Sequence, residues 1–168
     1  MDMIRRIWIY GLALPVVMLA AGCGPTGDLM TQHPQTVALH EGAVIAPAGR
    51  WRAGSAMMSN PTNAIDGKTG TYAVANDPST GSITIDLSKP CSFNSIRILH
   101  GSAEHAYGAE IALLTSLDGR QFSRRHVQQG QRKVTNICLI KPILARYIRL
   151  QVIRPGPEAW KIAEIDVR

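Results

Sequence analysis

The stretch "NPTNAIDGKTGTYA", residues 60–73, has residue types and spacing that could do chemistry. It is rich in turn formers, yet it places one apolar side chain, Ile65, directly before Asp66 and Gly67. Calcium prefers six to eight hard oxygen ligands, and a glycine-containing turn lets carbonyl groups point inward. The same residue types also make ordinary surface turns. The stretch therefore predicts either a plain turn or a loop bent around a metal ion.

A second candidate is Cys23, at the end of "LAAGC". Arg5 and Arg6 precede an apolar run over residues 7–21, which is shorter than the roughly 20 residues of a membrane-spanning helix. This arrangement resembles the signal peptide and lipobox of bacterial lipoproteins. The resemblance implies cleavage before Cys23 and acylation of its thiol and new amino terminus. The alternatives are an ordinary secretory signal with an incidental cysteine, or an uncleaved anchor.

The lipobox resemblance divides the chain into three parts. These are a lipoprotein signal peptide over residues 1–22, a lipidated cysteine with a tether over residues 23–46, and a folded domain over residues 47–168. The tether could end as early as residue 37, because "TVALHEGAVIA" also suits a first strand. Gly24 after the cysteine, rather than Asp, resembles outer-membrane sorting. We therefore expect a lipid-anchored protein of the bacterial cell envelope, facing the periplasm or the cell surface.

The net charge of the chain limits the classes of molecule that it is expected to bind. The chain has 18 Lys and Arg against 12 Asp and Glu, a net charge of +6. Asp2, Arg5 and Arg6 fall in the signal peptide, so the mature protein carries +5. This mild excess suits lipid headgroups or acidic glycans, and it is also typical of an ordinary solvated surface. The export signal and the absence of any nucleic-acid motif argue against nucleic acid.

Two cysteines remain if Cys23 is lipidated, namely Cys91 and Cys138. An even pair in an oxidising compartment favours a disulfide, and the spacing is not that of a metal site. The alternative is two buried thiols that act as small hydrophobic side chains.

Catalytic patterns are absent from the sequence. The five histidines, at positions 33, 40, 100, 105 and 126, are scattered, and none forms an HxxxH pair. There is no GxSxG, no P-loop and no GxGxxG. No pair of carboxylates suggests a glycosidase, although spacing in sequence cannot exclude one. We therefore predict that the protein is not an enzyme.

Strand periodicity dominates the chain after residue 80. In "GSITIDL" and "RYIRLQVI", isoleucine, leucine and valine share one face and polar residues share the other. Asp118-Gly119 follows another alternating run and is a strong hairpin signal. Prolines fall at strand boundaries, and no stretch has a convincing helical period. Seven or eight short strands at roughly ten-residue spacing predict an all-β sandwich or jelly roll.

Five segments of the sequence occur in a distinctive order and spacing. They are "NPTNAIDGKTGTYA", "GSITIDLSKPCSFNSIRIL", "AEIALLTSLDGRQF", "ARYIRLQV" and "IAEIDV". Together they resemble a known family, the discoidin or coagulation factor 5/8 type C domain, within the galactose-binding jelly-roll fold. The resemblance covers residues 50–168 and implies an eight-stranded antiparallel jelly-roll β-sandwich. It further implies a non-catalytic domain that binds sugars, phospholipid surfaces or proteins through loops at one end of the barrel.

Many bacterial members of this family hold a structural calcium beside the loop that matches residues 64–71. The resemblance implies ligands from Asp66, Thr71 and Glu164, with carbonyl groups near Lys68 and Ala163. Lys68 stands where Asp or Asn is common, so it would contribute only its carbonyl, or its ammonium would replace the calcium charge. No other cofactor is expected.

The resemblance also locates the ligand-binding loops, before residue 60, near 74–81 and at 101–108. Trp51 would stack on a sugar ring or pack in the core. Met57 and Met58 stand where membrane-binding members of the family carry apolar spikes; the alternative is that one methionine points inward and the other lies in a loop. Ala73 stands where the family usually has a large aromatic residue, which indicates a poorer sugar-binding face. The implied loop residues are Arg50, Trp51, Arg52, Met57, Met58, His105 and Tyr107.

Two functions follow from these features. The first is a binding module that docks onto envelope proteins, as an accessory part of an envelope-spanning secretion or conjugation complex. The second is a carbohydrate-binding lipoprotein for peptidoglycan or a surface polysaccharide. The small size of the chain and the poor sugar face favour the first.

Overall fold

A computed structural model of the protein describes residues 48–168. The predicted signal peptide, Cys23 and the tether lie outside the described residues, so the division of the chain and its lipidation stay predictions. Within the described range, no helix has the length and apolar character needed to cross a membrane.

Nine strands and two short 3₁₀ helices, Ala48–Arg50 and Pro61–Ile65, make up the regular structure of the described range. The strands, in chain order, are β1 (Arg52–Gly54), β2 (Met58–Ser59), β3 (Ala73–Ala75), β4 (Ser82–Leu99), β5 (Glu110–Ser116), β6 (Ser123–Gln129), β7 (Val134–Arg154), β8 (Lys161–Ile162) and β9 (Glu164–Val167).

Strands β4 and β7 are long, antiparallel to each other, and interrupted at two places in their ladder. Residues 87–90 of β4 face only Arg146, and residues 139–142 of β7 face only Asn94. Each excess segment is a bulge that contains a Lys-Pro pair, and proline suits a bulge because it donates no ladder hydrogen bond. The bulges separate the first half of each long strand from the second.

The two halves of β4 and β7 belong to the two faces of a sandwich. One face has the strand order β1, the first half of β4, the second half of β7, β5 and β6. The other consists of β9, the second half of β4 and the first half of β7. These eight antiparallel segments confirm the predicted eight-stranded sandwich. A small sheet of β2, β3 and β8 lies beside them.

The core lies between the two faces and follows the alternation of the sequence. Ile83, Ile85 and Leu87 of one face are fully buried in the same apolar cluster as Ile96 and Ile98 of the other. Each such side chain contributes about 1.5–3 kcal/mol by leaving water.

The predicted hairpin at Asp118-Gly119 joins β5 to β6. Gly119 has φ +74°, which only glycine adopts without strain. The Asp118 carboxylate accepts hydrogen bonds from the Arg120 and Gln121 amides at 2.9 and 3.0 Å. These bonds lower the pKa of Asp118 to about 2. The turn is therefore held by its own side chain as well as by its glycine.

The predicted disulfide between Cys91 and Cys138 is wrong. Cys91 pairs with Ala145, whereas Cys138 pairs with Ser95, four residues further along β4, or about 13 Å. Cys91 is buried and its thiol contacts the Lys89 carbonyl at 3.3 Å, but Cys138 is exposed. A disulfide needs Cα atoms within about 7 Å. The offset between the two cysteines along the strands exceeds that distance, and one side chain is buried while the other is exposed, so the bond cannot form.

Candidate functional site

The loop that follows the second 3₁₀ helix gathers oxygen atoms around Asp66. Thr71 donates its hydroxyl proton towards Asp66 Oδ2 at 2.8 Å, and its Oγ1 lies 2.9 Å from the Lys68 carbonyl oxygen. The Lys68 amide donates to Asp66 Oδ1 at 2.9 Å. Gly67 has φ +76°, which lets the chain turn back at this point. A carboxylate, a hydroxyl and a carbonyl therefore meet within one short loop.

Glu164 reaches this loop from β9, where it pairs with Leu99. Its Oε2 accepts a hydrogen bond from the Gly67 amide at 2.9 Å. Burial raises the pKa of Glu164, the Gly67 amide opposes that rise, and the negative charge of Asp66 adds to it. The hydrogen bond from Thr71 is the largest cause of the lowered pKa of Asp66. Two carboxylates thus repel each other here, and a cation would relieve that repulsion.

The structure brings together the predicted calcium ligands. Asp66, Lys68, Thr71 and Glu164 share direct contacts, and Ala163 precedes Glu164 in the chain. The Lys68 ammonium forms no ion pair with another residue of the 48–168 range. That range also contains no group of three or more His, Cys, Asp or Glu side chains placed for a metal. A cation here would therefore depend on two carboxylates completed by hydroxyl and carbonyl oxygens, and this donor set fits calcium.

Four loops meet at one end of the sandwich, and we call residues 55–57, 76–81, 101–109 and 153–160 the loop end. Backbone hydrogen bonds join them to each other and to adjacent strands at 2.8–2.9 Å. The bonds run from Asn76 to Met57, Ala75 to Trp160, Val152 to Gly81, and Lys161 to Ala106. Gly156 also packs directly on the Tyr107 carbonyl group. The loop end is therefore a connected surface.

The predicted ligand-binding residues divide between this surface and the core. Met57 is 46% exposed, His105 is exposed and Tyr107 is partly exposed, all at the loop end. Met58 is buried, so one methionine of the pair faces the core, as one alternative predicted. Trp51 is only 9% exposed and belongs to the core cluster, so its ring packs in the core and does not stack on a surface sugar.

The structure places Arg50 and Arg52, two of the predicted ligand-loop residues, away from the loop end. Arg52 pairs with Asp86, and the Arg50 carbonyl accepts a hydrogen bond from Ser88. Both contacts lie where β4 leaves its sheet, at the end away from Gly81. Strand β1, which begins at Arg52, lies between Arg50 and the loop that begins at residue 55. The sequence alone did not show that a strand lies there.

Position 73 also differs from expectation. Ala73 is fully buried on β3, where it pairs with Ile162. A large aromatic residue here would change the packing beneath the loops and not the exposed face. The loop end exposes little aromatic surface for a different reason. Trp160 lies close to Gly81 at this end, but its side chain is buried and only 1% exposed.

Sequence reasoning missed two side chains of the loop end, Ile153 and Arg154, and the Glu110 carboxylate of β5 beside them. Ile153 is 41% exposed, and Arg154 forms an ion pair with Glu110 at 3.0 Å. The alternation in "RLQVIR" is the signal that could have shown that Ile153 faces away from buried Val152.

His100 lies beneath the loop end and is completely buried. Its Nδ1 is 2.8 Å from the Lys161 carbonyl oxygen, and its Nε2 is 3.1 Å from Thr135 Oγ1. Burial lowers the pKa of His100, and the bond to the Lys161 carbonyl raises it by less. Both ring nitrogens are occupied by structural partners, so His100 is a core residue.

The comparisons with known proteins agree with this geometry. The family model described as F5/8 type C domain matches residues 48–165. The chain belongs to the F5/8 type C domain family. A comparison with curated protein sequences gives no match.

Solved structures similar to this F5/8 type C domain include bacterial carbohydrate-binding modules. The family 32 module of NanJ from Clostridium perfringens, in complex with galactose, has 20% identity and a TM-score of 0.65, covering 72% of this chain and 95% of that one. CpGH89CBM32-5 from Clostridium perfringens, in complex with GalNAc-β-1,3-galactose, has 20% identity and a TM-score of 0.66, covering 72% and 96%. The C-terminal domain of a chitobiase from Bacteroides fragilis has 21% identity and a TM-score of 0.63, covering 73% and 95%. At these identities the likeness establishes the fold.

Proposed function

We propose that the protein is a non-catalytic, lipid-anchored module of the bacterial cell envelope that docks onto a protein partner through its loop end. The observation that carries this proposal is the composition of that end. Met57 and Ile153 are exposed at that end, and Arg154 of the same end forms an ion pair with Glu110. Methionine and arginine are enriched at protein interfaces. An accessory role in an envelope-spanning secretion or conjugation complex is the setting that suits such a module.

The core positions of both described tryptophans support the choice of a protein over a sugar. Trp51 and Trp160 are 9% and 1% exposed, so neither offers a flat face to a sugar ring. Tyr107 is the aromatic side chain of loop 101–109, and it is only partly exposed. A surface that mixes polar and apolar side chains and lacks a flat aromatic face for stacking suits contact with a protein better than contact with a sugar.

A glycan is the second candidate, and one observation favours it. His105 and Tyr107 lie together on an exposed loop of the same end. Structures with this fold hold galactose or GalNAc-β-1,3-galactose. Peptidoglycan or a surface polysaccharide would be the ligand in the envelope.

Photocrosslinking in cells tests the first candidate. A photoreactive amino acid replaces Met57 or Ile153 in the full chain, and Val127 of β6, which is 41% exposed like Ile153, serves as the matched control position. We expect discrete protein adducts from positions 57 and 153 and none from position 127.

Peptidoglycan and polysaccharide co-sedimentation tests the second candidate. Retention that is lost in His105→Ala and Tyr107→Phe, together with an absence of protein adducts at the loop end, would overturn the protein-docking proposal in favour of the glycan.

We further propose that the loop around Asp66 holds a structural calcium ion. Asp66, Thr71 and Glu164 would bind it through side-chain oxygens, and Lys68 and Ala163 through carbonyl groups. The support is the repulsion between Asp66 and the half-buried Glu164, together with the hard-oxygen donor set. The ion would supply the charge that keeps this loop closed.

A further inference from the structure

The three most exposed large apolar side chains of the described chain lie at one end of the sandwich. Ile140 is 101% exposed, Leu117 is 57% exposed and Leu144 is 54% exposed. Single exposed apolar residues are common, but three at one end make that end a candidate contact surface.

The strand register shows that this end is opposite to the loop end. Arg52, Asp86, Tyr147 and Ser116 form one row across the larger face of the sandwich. The chain beyond this row comprises residues 48–50, 87–93, 117–121 and 139–145, which we call the bend end. Gly81 belongs to the loop end, and Asp86, five residues further along, belongs to this row. Along the strand the two residues are about 17 Å apart.

Ile140 protrudes because its segment is a bulge. Residues 139–142 face only Asn94 on β4, so Ile140 has no cross-strand neighbour to cover it. Leu144 lies further along β7, opposite Ser92. Leu117 begins the β5–β6 turn just after Ser116. These three apolar side chains thus come from two segments, 117–121 and 139–145, that lie at the same end.

Positive charge surrounds these apolar side chains. Arg50, Lys89, Arg120 and Lys141 are all exposed at the bend end. Residues 87–93 and 139–145 contain no Asp or Glu.

The carboxylates near this end have partners of their own. Asp86 accepts two hydrogen bonds from Arg146 at 2.9 Å each. Asp118, which is exposed, accepts amide hydrogen bonds of its own turn. The bend end therefore presents apolar side chains within a mainly cationic surface.

The described part of the chain begins at the bend end. Residues 48–50 form the first 3₁₀ helix, and Ser88 donates a hydrogen bond to the Arg50 carbonyl. The segment that carries Cys23 precedes Ala48. A lipid on Cys23 would hold the bend end at high local concentration next to the bilayer.

We propose that the bend end rests on an anionic bilayer surface, with Ile140, Leu144 and Leu117 in the headgroup region and Lys89 and Lys141 beside lipid phosphates. An interfacial surface of this kind gains affinity from buried apolar area and from electrostatic attraction to anionic lipids. The orientation rests on the lipid anchor proposed above, but the surface itself does not need the anchor. The loop end then faces away from the membrane, towards its partner.

Vesicle co-sedimentation of the mature chain with Cys23→Ser, which cannot be acylated, tests this proposal. The vesicles contain phosphatidylglycerol and phosphatidylethanolamine, and the control vesicles contain phosphatidylcholine alone. We expect binding to the anionic vesicles at low ionic strength, weaker binding as salt screens the charges, and little binding to phosphatidylcholine.

Two variants remove the proposed contacts from exposed positions. Lys89→Glu with Lys141→Glu should lower the partition coefficient at least about 25-fold, because each lysine contributes about five-fold, or about 1 kcal/mol. Ile140→Ser should lower it about five-fold or more. The matched controls at or near the loop end, Ile153→Ser and Arg132→Glu, should change it less than about two-fold.

Three outcomes would overturn the proposal. These are no sedimentation with anionic vesicles, equal binding to phosphatidylcholine, and equal losses in the control variants. If a photoreactive residue at position 140 yields protein adducts in cells and the vesicles do not bind, the bend end contacts a protein instead. Because Cys23→Ser is present throughout, failure of the lipid anchor would not affect this readout, and loop-end crosslinking is scored separately.

Discussion

His100 is a polar side chain that the fold encloses completely, and burial sets its protonation. Neutral His100 is bonded to the Lys161 carbonyl and to Thr135, so a proton on the ring would place a charge in the core. The sequence alone does not show that His100 is buried, because its contact with the Lys161 carbonyl depends on β8, which is distant in the chain.

We predict that the free energy of unfolding falls as the pH drops below about 6.5, the ordinary pKa of histidine. The folded-state pKa of His100 is lowered, so the unfolded chain takes up a proton that the folded chain refuses. The stabilisation is complete above about pH 6.5 and is lost as the pH falls towards the folded-state pKa. Urea denaturation at several pH values measures the effect.

The matched variants for this prediction are His100→Gln and His105→Gln. His100→Gln should flatten the pH dependence between about pH 6.5 and 5, whereas exposed His105→Gln should leave it unchanged. Comparison with the wild type cancels the titration of Glu164, which has the opposite sign. An unaltered slope in His100→Gln would contradict the prediction.

At the scale of structural elements, glycine governs how closely the loops of the loop end approach each other. A Cβ at Gly156 would meet the Tyr107 carbonyl oxygen, and backbone groups cannot move aside as a flexible side chain can. The flanking prolines, Pro155 and Pro157, further limit adjustment of this segment.

Gly156→Ala should therefore destabilise the protein by about 1–3 kcal/mol, the usual cost of overpacking. Gly70→Ala is the control, because nothing lies within 4 Å of the added Cβ there. Chemical denaturation of both variants gives the comparison, and equal stabilities would show that the loops relax freely.

The loop around Asp66 is the second element whose behaviour can be tested. We expect calcium to raise the melting temperature and a chelator to reverse the rise, because an ion bound only to the folded state stabilises it by about 2.7 kcal/mol at one hundred times its Kd. Asp66→Ala should abolish the response. Asp77→Ala, in an exposed turn at the loop end, should retain it.

The role of Lys68 separates the two readings of this loop. If Lys68 supplies only its carbonyl, Lys68→Ala should keep the calcium response. A wild-type protein with no calcium response, combined with a lower melting temperature in Lys68→Ala, would instead mean that the ammonium occupies the cation position.

At the scale of the whole molecule, the proposed anchor and the proposed contacts of the two ends are compatible with one orientation. In that proposal the bend end would face the bilayer and the loop end would face the partner. In cells, Cys23→Ser should move the protein from the membrane fraction to the soluble fraction after a high-salt wash, because several acyl chains bind lipid far more strongly than a surface contact. Retention after that wash would contradict the lipoprotein prediction, and Met57→Ser is a control that should remain membrane-bound.

The alternation of residues determined the all-β class, the faces of β4 and β7 and the Asp118-Gly119 hairpin, because side-chain burial in a strand and glycine at positive φ are local properties. The family resemblance placed Asp66, Thr71 and Glu164 together, and the structure agrees. Sequence could not show that Trp51 and Ala73 face the core, that Cys91 and Cys138 are out of register, or that Arg50 lies away from the loops. Those facts depend on bulges and pairings between segments far apart in the chain. Only the tertiary structure decided which exposed residues share an end, because the sandwich folds β4 and β7 back on themselves and brings Leu117, Ile140 and Leu144 to one surface.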